Sequence, residues 1–258
     1  MRQRVIEVRN LNFTYPDGTT ALKDMCLELY NGETIGLIGP NGAGKSTAIL
    51  HLNGVLKGVG KIKLLGKEIN KKNIREIRSK VGIVFQDPND QLFMPTVFDD
   101  IAFGPLNLGL SVDVVKSKTL KVLSEMGLDG VKDKPSHHLS LGEKKSVSLA
   151  TVMVMEPAIL ILDEPTNSLD PGTRRIFIQM LSNLKVSKII ATHDLDLVFE
   201  LCSRVVLMDN GRVITEGETK EILSNKILLE EHNLEIPASL LLKENIFSVK
   251  KSSMRNLI

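Results

Sequence analysis

The run Gly39-Pro40-Asn41-Gly42-Ala43-Gly44-Lys45-Ser46 constrains this chain more than any other feature. Its three glycines let backbone N–H groups turn inward around phosphate oxygens, and a helix opening behind them adds partial positive charge. The flanks fit: Thr34 to Ile38 is a short apolar run that reads as a strand, and Ser46 to Leu52 has helical character. In such a loop Lys45 reaches the terminal phosphates of a nucleotide, Ser46 offers a hydroxyl to Mg²⁺, and Thr47 extends the hydroxyl supply. A glycine-rich turn without a ligand is the alternative, and the strand before it and helix after it argue against that.

A second constellation is Ile159-Leu160-Ile161-Leu162-Asp163-Glu164, an apolar strand ending in two carboxylates. Burial holds such a strand rigid. Asp163 is then placed to bind Mg²⁺ directly or through water, and Glu164 to face the space where a hydrolytic water stands. Alone, a strand ending in Asp-Glu is an ordinary strand terminus; behind a phosphate loop it reads as the hydrolytic half of a nucleotide site.

Further strand-like runs are Val5 to Val8 and Ala21 to Leu29, with the turn-prone Tyr15-Pro16-Asp17-Gly18 between them, then Lys80 to Phe85 and Lys188 to Ala191. The stretch Asp87 to Asn107, rich in Pro, Asn and Asp, interrupts the pattern, and Val112 to Met155 is mostly helical. Val205 to Asp209, the turn Asn210-Gly211 and Arg212 to Ile214 form a hairpin signal. Strands alternating with helices imply a parallel sheet covered on both faces. Glu221 to Leu229 and Ser239 to Leu242 look amphipathic around Pro237, which predicts a small helical appendage from Thr219 onward.

With 258 residues the chain suits one large domain plus that appendage. Its 33 basic and 31 acidic side chains give a net charge of +2, too balanced to draw nucleic acid or an anionic membrane, so no nucleic-acid partner is expected. Cys26 and Cys202 lack a metal pattern or a secreted framework and read as reduced, buried thiols of a cytosolic protein. Met1 to Asn10 has no apolar stretch suited to a signal sequence, and no segment approaches the roughly 20 apolar residues of a membrane helix. A role in transport requires docking on something else.

Motif order now points to a family. The phosphate loop, Gln86, Leu139-Ser140-Leu141-Gly142-Glu143, Asp163-Glu164-Pro165-Thr166, Ser168-Leu169-Asp170 and Thr192-His193-Asp194 together resemble the ABC ATPases, over roughly Val5 to Gly217. The resemblance implies an α/β fold: a P-loop NTPase (RecA-like) core with an antiparallel β subdomain, an inserted α-helical signature subdomain and a small C-terminal helical extension. It divides the chain into an ATPase domain at 1–218, with the helical subdomain at about 88–155, and an extension at 219–258. It implies ATP and Mg²⁺ as ligands. Tyr15 resembles the aromatic that stacks on adenine, Gln86 the Mg²⁺ ligand and water sensor, and His193 the switch that contacts the γ-phosphate; a turn tyrosine, a strand-end glutamine and a core histidine are the plain alternatives. Ser140 and Gly142 would meet the γ-phosphate held by a second ATPase subunit, a copy or a related chain, and Asp170 would join the two active sites. The chain departs from the family pattern, which has glycine where it has Leu141, glutamine at Glu143 and a basic residue at Ser146. Those changes are expected to slow closure or hydrolysis.

The stretch from Phe85 to Phe93, followed by Thr96-Val97 and Asp100 to Pro105, resembles the ATPases of energy-coupling-factor importers, including the cobalt and nickel branch. This implies a transmembrane coupling protein and a substrate-binding membrane subunit as partners, a peripheral place on the cytoplasmic face of the cell membrane, and import of a cobalt or nickel ion. Exposed Leu92, Phe93 and Phe98 would receive coupling helices, unless they merely pack the helical subdomain. The extension would strengthen the dimer, and residues beyond Phe247 read equally as a disordered tail. Alternatives are a vitamin importer, a soluble ABC ATPase outside transport, and a nucleotide-binding regulator with negligible hydrolysis; the last is disfavoured by Glu164 and His193.

Overall fold

The computed structural model describes residues 2–242. The chain opens with two long antiparallel strands, β1 (Arg4–Thr14) and β2 (Thr20–Tyr30), whose alternating apolar residues turn one face to the core. β3 (Thr34–Ile38), buried at four of its five positions, delivers the phosphate loop to α1 (Lys45–Leu52). β4 (Val59–Leu64), β5 (Lys67–Glu68) and α2 (Ile74–Lys80) follow, and β4 pairs with β1 to give an antiparallel sheet of order β2-β1-β4-β5. Sequence reading found neither of these strands. Lys61-Ile62-Lys63-Leu64 does alternate, but Gly58, Gly60 and Gly66 bracket a run too short to stand out.

The central layer runs through β6 (Val81–Val84), α3 (Val97–Asn107), α4 (Val112–Glu125), α5 (Leu141–Met153) and β7 (Ile159–Asp163). It continues through α6 (Pro171–Asn183), β8 (Ser187–Ala191), α7 (Leu195–Leu201) and the hairpin β9 (Arg204–Asp209) and β10 (Arg212–Glu218). The sheet order is β10-β9-β3-β8-β7-β6, parallel throughout except for β10. The carboxyl ends of β3, β6, β7 and β8 therefore share one edge, and the sequence motifs sit on that edge. This is the ligand-binding end of an open α/β sheet.

Two apolar clusters cover the faces of this sheet, one against β1, β2 and α1, the other against α5, α6 and α7. A third, with Leu92, Val97, Ile101, Leu123 and Val147 among its members, lies wholly within residues 92–155. After β10, α8 (Thr219–Ser224) and α9 (Lys226–Glu231) send Ile222, Leu223 and Leu229 into the second cluster rather than building a core of their own. The tail expected beyond Phe247 lies outside the described residues.

Two expectations need correction. The stretch Asp87 to Asn107 is not simply an interruption, because its second half is α3. Thr96 caps that helix by accepting from the Asp99 N–H at 3.1 Å, and Asp100 accepts the N–H groups of Phe93 and Met94 at 2.9 Å each. Residue types that read as loop thus serve as cap and staple. Nor are Leu92 and Phe98 both exposed: Leu92 is buried in the third cluster and Phe98 packs half-buried against it. Only Phe93 of the three stands out, 63% exposed, with its ring edge-on to the exposed Phe103 at 5.0 Å. Cys202 is buried as expected, its thiol pushed up to about 12 by burial, whereas Cys26 is half-buried.

Candidate functional site

The phosphate loop holds a conformation that its glycines make possible. Gly39, Gly42 and Gly44 have φ of 151°, 80° and 99°, and a Cβ on Gly39 would lie 2.1 Å from the Met208 carbonyl oxygen. Substitution there meets backbone, which cannot yield as a side chain does. Lys45, the first residue of α1, has a buried stem, and its ammonium donates to the carbonyls of Gly39 at 2.7 Å and Pro40 at 3.0 Å. Burial lowers its pKa, opposed by the negative charges of Glu164 and Asp163. A phosphate oxygen is a stronger partner for this ammonium than either neutral carbonyl, so the side chain is poised to turn toward an anion.

The cleft at the loop, about 410 Å³, is lined by residues from Asn41 to Thr47 together with Tyr15, Gln86, Glu164, Asn167 and His193. Tyr15 is anchored there by a 3.0 Å hydrogen bond between its hydroxyl and Thr47 Oγ1 and by edge contact with Phe13. Thr47 is buried, so part of its hydroxyl capacity is already spent on Tyr15.

Across the cleft, the turn after β7 presents Glu164, and Asp163 at the end of β7 lines the neighbouring cavity. Asp163 is raised by burial and by Glu164, while a hydrogen bond from Ser46 and the charges of Lys45 and Lys145 pull the other way. Ser46, Gln86 and Asp163 offer a hydroxyl, an amide oxygen and a carboxylate. That hard-oxygen set suits Mg²⁺, which keeps few protein ligands and takes the rest from phosphates and water. Glu164 is buried, and its backbone is left-handed at φ 43°, a conformation costing about 1–3 kcal/mol in a residue with a side chain. Its carboxylate accepts from Thr192 Oγ1 at 2.7 Å and the His193 N–H at 3.1 Å, and His193 Nδ1 lies 2.8 Å from it. Two sequence-distant strand ends thus fix one acid.

The signature run starts α5. Ser140 caps the helix and forms a reciprocal capping box with Glu143: the serine N–H and hydroxyl each donate to Glu143 Oε2 at 2.8 Å, and the Glu143 N–H returns to Ser140 Oγ at 3.3 Å. Ser140 accordingly draws the Glu143 carboxyl below the usual range. Gly142 packs against the first turn of α6, where a Cβ would lie 2.3 Å from Thr173 Cγ2. Neither Ser140 nor Gly142 lines the cleft of its own chain. Leu141, 38% exposed, lines a separate cavity with Gln86, Asp163 and Ser168. Asp170 caps α6 through the N–H groups of Gly172 and Thr173 at 3.0 and 3.1 Å.

Several contributors were not legible in sequence. Gln91 accepts the Phe85 N–H at 3.2 Å and donates to Ser148 O and Thr151 Oγ1 at 2.7 Å each, clamping the loop around Gln86 to α5. Arg174 holds Asp194 through its guanidinium at 2.8–3.1 Å, joining α6 to the turn beyond His193. Lys145 donates to the carbonyls of Gln86 and Glu164 at 3.2 Å each. The helical period was the available signal for Lys145, since it shares the buried stripe of Ser148, Leu149 and Val152.

Known proteins share this chain's sequence and fold. The family model described as ABC transporter matches residues 22–167. A putative ABC transporter ATP-binding protein of Gloeobacter violaceus is 47% identical over 236 residues, 90% of this chain and 97% of its own. An energy-coupling factor transporter ATP-binding protein of Methanocaldococcus jannaschii is 43% identical over 239 residues, covering 90% of this chain and 86% of its own. The structure of cbiO1 from Clostridium perfringens, described as part of the ABC transporter complex cbiONQ, superposes with a TM-score of 0.78 at 41% identity, over 94% of this chain and 99% of that one. With the phosphate loop and the paired acids on one sheet edge, the chain belongs to the ABC transporter family as an ATP-binding, ATP-hydrolysing subunit.

Proposed function

We propose that this chain energises import of a small solute through separate membrane subunits, as the ATPase of an energy-coupling-factor type transporter. The similarity to an energy-coupling factor transporter ATP-binding protein and to cbiO1 supports the transporter type, and the observation that carries the pairing of two such chains is the site's division within one chain. The phosphate loop, Gln86, Glu164 and His193 share a cleft, while Ser140 and Gly142 lie outside it. A second chain would supply them. Two copies form the simplest pair, because each carries both halves of such a site.

In the proposed reaction Lys45 binds the terminal phosphates, and Tyr15 and the backbone from Gly39 to Thr47 seat the nucleotide. Glu164, held by Thr192 and His193, orients a water and takes its proton as the oxygen attacks the γ-phosphorus and the bond to the bridging oxygen breaks, leaving ADP and phosphate. Ser46, Gln86 and Asp163 would hold Mg²⁺, which would supply charge neutralisation on the phosphate oxygens. His193 and the second chain's copy of Ser140 add donors for the γ-phosphate. We place domain limits at 1–218, with a helical part at about 88–155, and 219–258; the separate apolar cluster of residues 92–155 supports the helical part, while the extension's α8 and α9 pack into the second cluster.

Leu141 and Glu143 bear on closure. Leu141 projects from the first turn of α5, and Glu143 keeps a negative charge beside the hydroxyl meant for phosphate. Leu141→Gly is expected to raise turnover at saturating ATP by about 1 kcal/mol of barrier, roughly fivefold. Unchanged turnover would refute a braking role.

For the membrane partner, Phe93, Phe103 and Leu106 give an exposed apolar patch following the Gln86 loop, which suits an amphipathic coupling helix. No helix among the described residues is long and apolar enough to cross a membrane, in keeping with a peripheral subunit on the cytoplasmic face. The solute we propose is a cobalt or nickel ion, on the resemblance of residues 85–105; a vitamin is the alternative. The test is affinity purification of the tagged chain from gently solubilised membranes of its host, with mass spectrometry. A transmembrane coupling protein and a small substrate-binding membrane subunit are expected, and the latter names the solute. The double variant Phe93→Asp, Phe103→Asp should lose both while keeping its own ATPase rate. Recovery of DNA-repair or ribosomal components without membrane proteins would overturn the transport reading.

A further inference from the structure

Lys144 and Lys145 look in sequence like a solvated pair, yet Lys145 is only 3% exposed. Taking an ammonium out of water costs several kcal/mol unless donors and charges are met. Here two backbone carbonyls accept from it, Gln86 O and Glu164 O, and the carboxylates of Glu164, Asp87 and Asp163 oppose the desolvation that lowers its pKa. Those two carbonyls belong to the segments leaving β6 and β7, the same segments that bring Gln86 and Glu164 into the nucleotide cleft.

The Glu164 carbonyl matters because that residue's backbone is left-handed at φ 43°. A strained backbone persists only where its surroundings over-determine it. Lys145 holds the main-chain oxygen from the α5 side, and Thr192 and His193 hold the carboxylate from the β8 side. Lys145 does not line the phosphate-loop cleft. Its hydrogen bonds to Glu164 and Gln86 go to their backbone carbonyls, and it lines the neighbouring cavity with Gln86 and Asp163.

We infer that Lys145 is a positioning residue for hydrolysis: it fastens the signature helix to the backbones of Glu164 and Gln86, so that the stance of the Glu164 carboxylate depends on how α5 is seated. The chain lacks the basic residue its family pattern has at Ser146, and Lys145 supplies a buried cation one position earlier. The inference rests on the reading of Glu164 as the residue that orients water.

The test compares Lys145→Met and Lys145→Arg in the full-length chain, measuring kcat and KM for MgATP, affinity for a fluorescent ATP analogue, and Tm. Misplacing a reacting group costs between about tenfold and 10²-fold in rate. Lys145→Met should lose kcat in that range while analogue affinity stays within about threefold, and Lys145→Arg should recover most of the rate. If Lys145→Met does not fold, Lys145→Gln, which keeps a donor without the charge, carries the same comparison. Wild-type kcat in Lys145→Met, or a loss of kcat matched by equal losses of affinity and Tm that arginine does not rescue, would overturn the inference. Combined with Glu164→Gln, Lys145→Met should cause no further loss; a further tenfold loss would show that it acts elsewhere. A Glu164→Gln chain with wild-type turnover would instead remove the reading on which the inference depends.

Discussion

Glu164→Gln should lower ATP turnover by on the order of 10²- to 10⁴-fold, the contribution expected of a general base, while leaving ATP affinity near that of the unmodified chain. The substitution keeps shape and size at a buried position, and the amide oxygen can still accept from Thr192 Oγ1 or the His193 N–H, as the carboxylate does at 2.7 and 3.1 Å. What it removes is the capacity to take a proton from water. Single-turnover hydrolysis with a phosphate-release readout separates the two effects, because binding precedes the step that is lost. If Glu164→Gln hydrolyses ATP at the wild-type rate, the base is another group.

Lys45→Ala is expected to act one step earlier. The ammonium now shared between the Gly39 and Pro40 carbonyls is the positive side chain that lines the loop's cleft from within the motif. A hydrogen bond to a charged group contributes about 1.5–3 kcal/mol, so ATP affinity should fall roughly 10- to 100-fold, with turnover falling further because charge on the terminal phosphate grows during transfer. The fold should survive. Ala48 and Ile49 anchor α1 in the apolar core, and the lysine's own desolvation is relieved on truncation. Equilibrium binding of a fluorescent ATP analogue checks this; affinity within twofold of the unmodified chain would mean that Lys45 does not contact the phosphates.

The sequence exposed the parts of the site that are contiguous. A loop needing three glycines at positive φ, and a strand whose burial delivers two acids, each declare themselves because chemistry and local backbone coincide in a few residues. The parallel order of β3, β6, β7 and β8 was likewise implied by apolar runs alternating with helical stretches. What escaped were contacts made across the fold. Gln91 and Lys145 lie 57 and 59 residues from their acceptors Ser148 O and Gln86 O; nothing local marks a glutamine in a polar stretch, and for Lys145 the helical period could signal burial but not its partners. Helix α3 was hidden because Thr96, Asp99 and Asp100 are loop formers by type, and only their capping of a helix and of the Phe93 turn shows why they are there. Leu92 and Phe98 were misplaced for a related reason: Phe98 lies on α3 and packs against the cluster of Ile101 and Val147, and Leu92, in the turn ahead of that helix, is buried in the same cluster.

The capping box at Ser140 carries a similar lesson about departures from a pattern. Glutamate at position 143 both completes the box and sets a charge beside Ser140, so the residue that stabilises α5 would also oppose a phosphate at Ser140 in the proposed dimer. In the proposed dimer, stability and closure would be in tension at this helix start.

The measurement that tests the central claim most directly is the mass of the Glu164→Gln chain by light scattering, with and without saturating MgATP. If ATP joins the phosphate loop of one copy to the Ser140 and Gly142 of another, the mass should double on adding MgATP and return to that of a single chain when ADP replaces it. A chain that binds MgATP with full affinity and stays single would contradict a site shared between two copies.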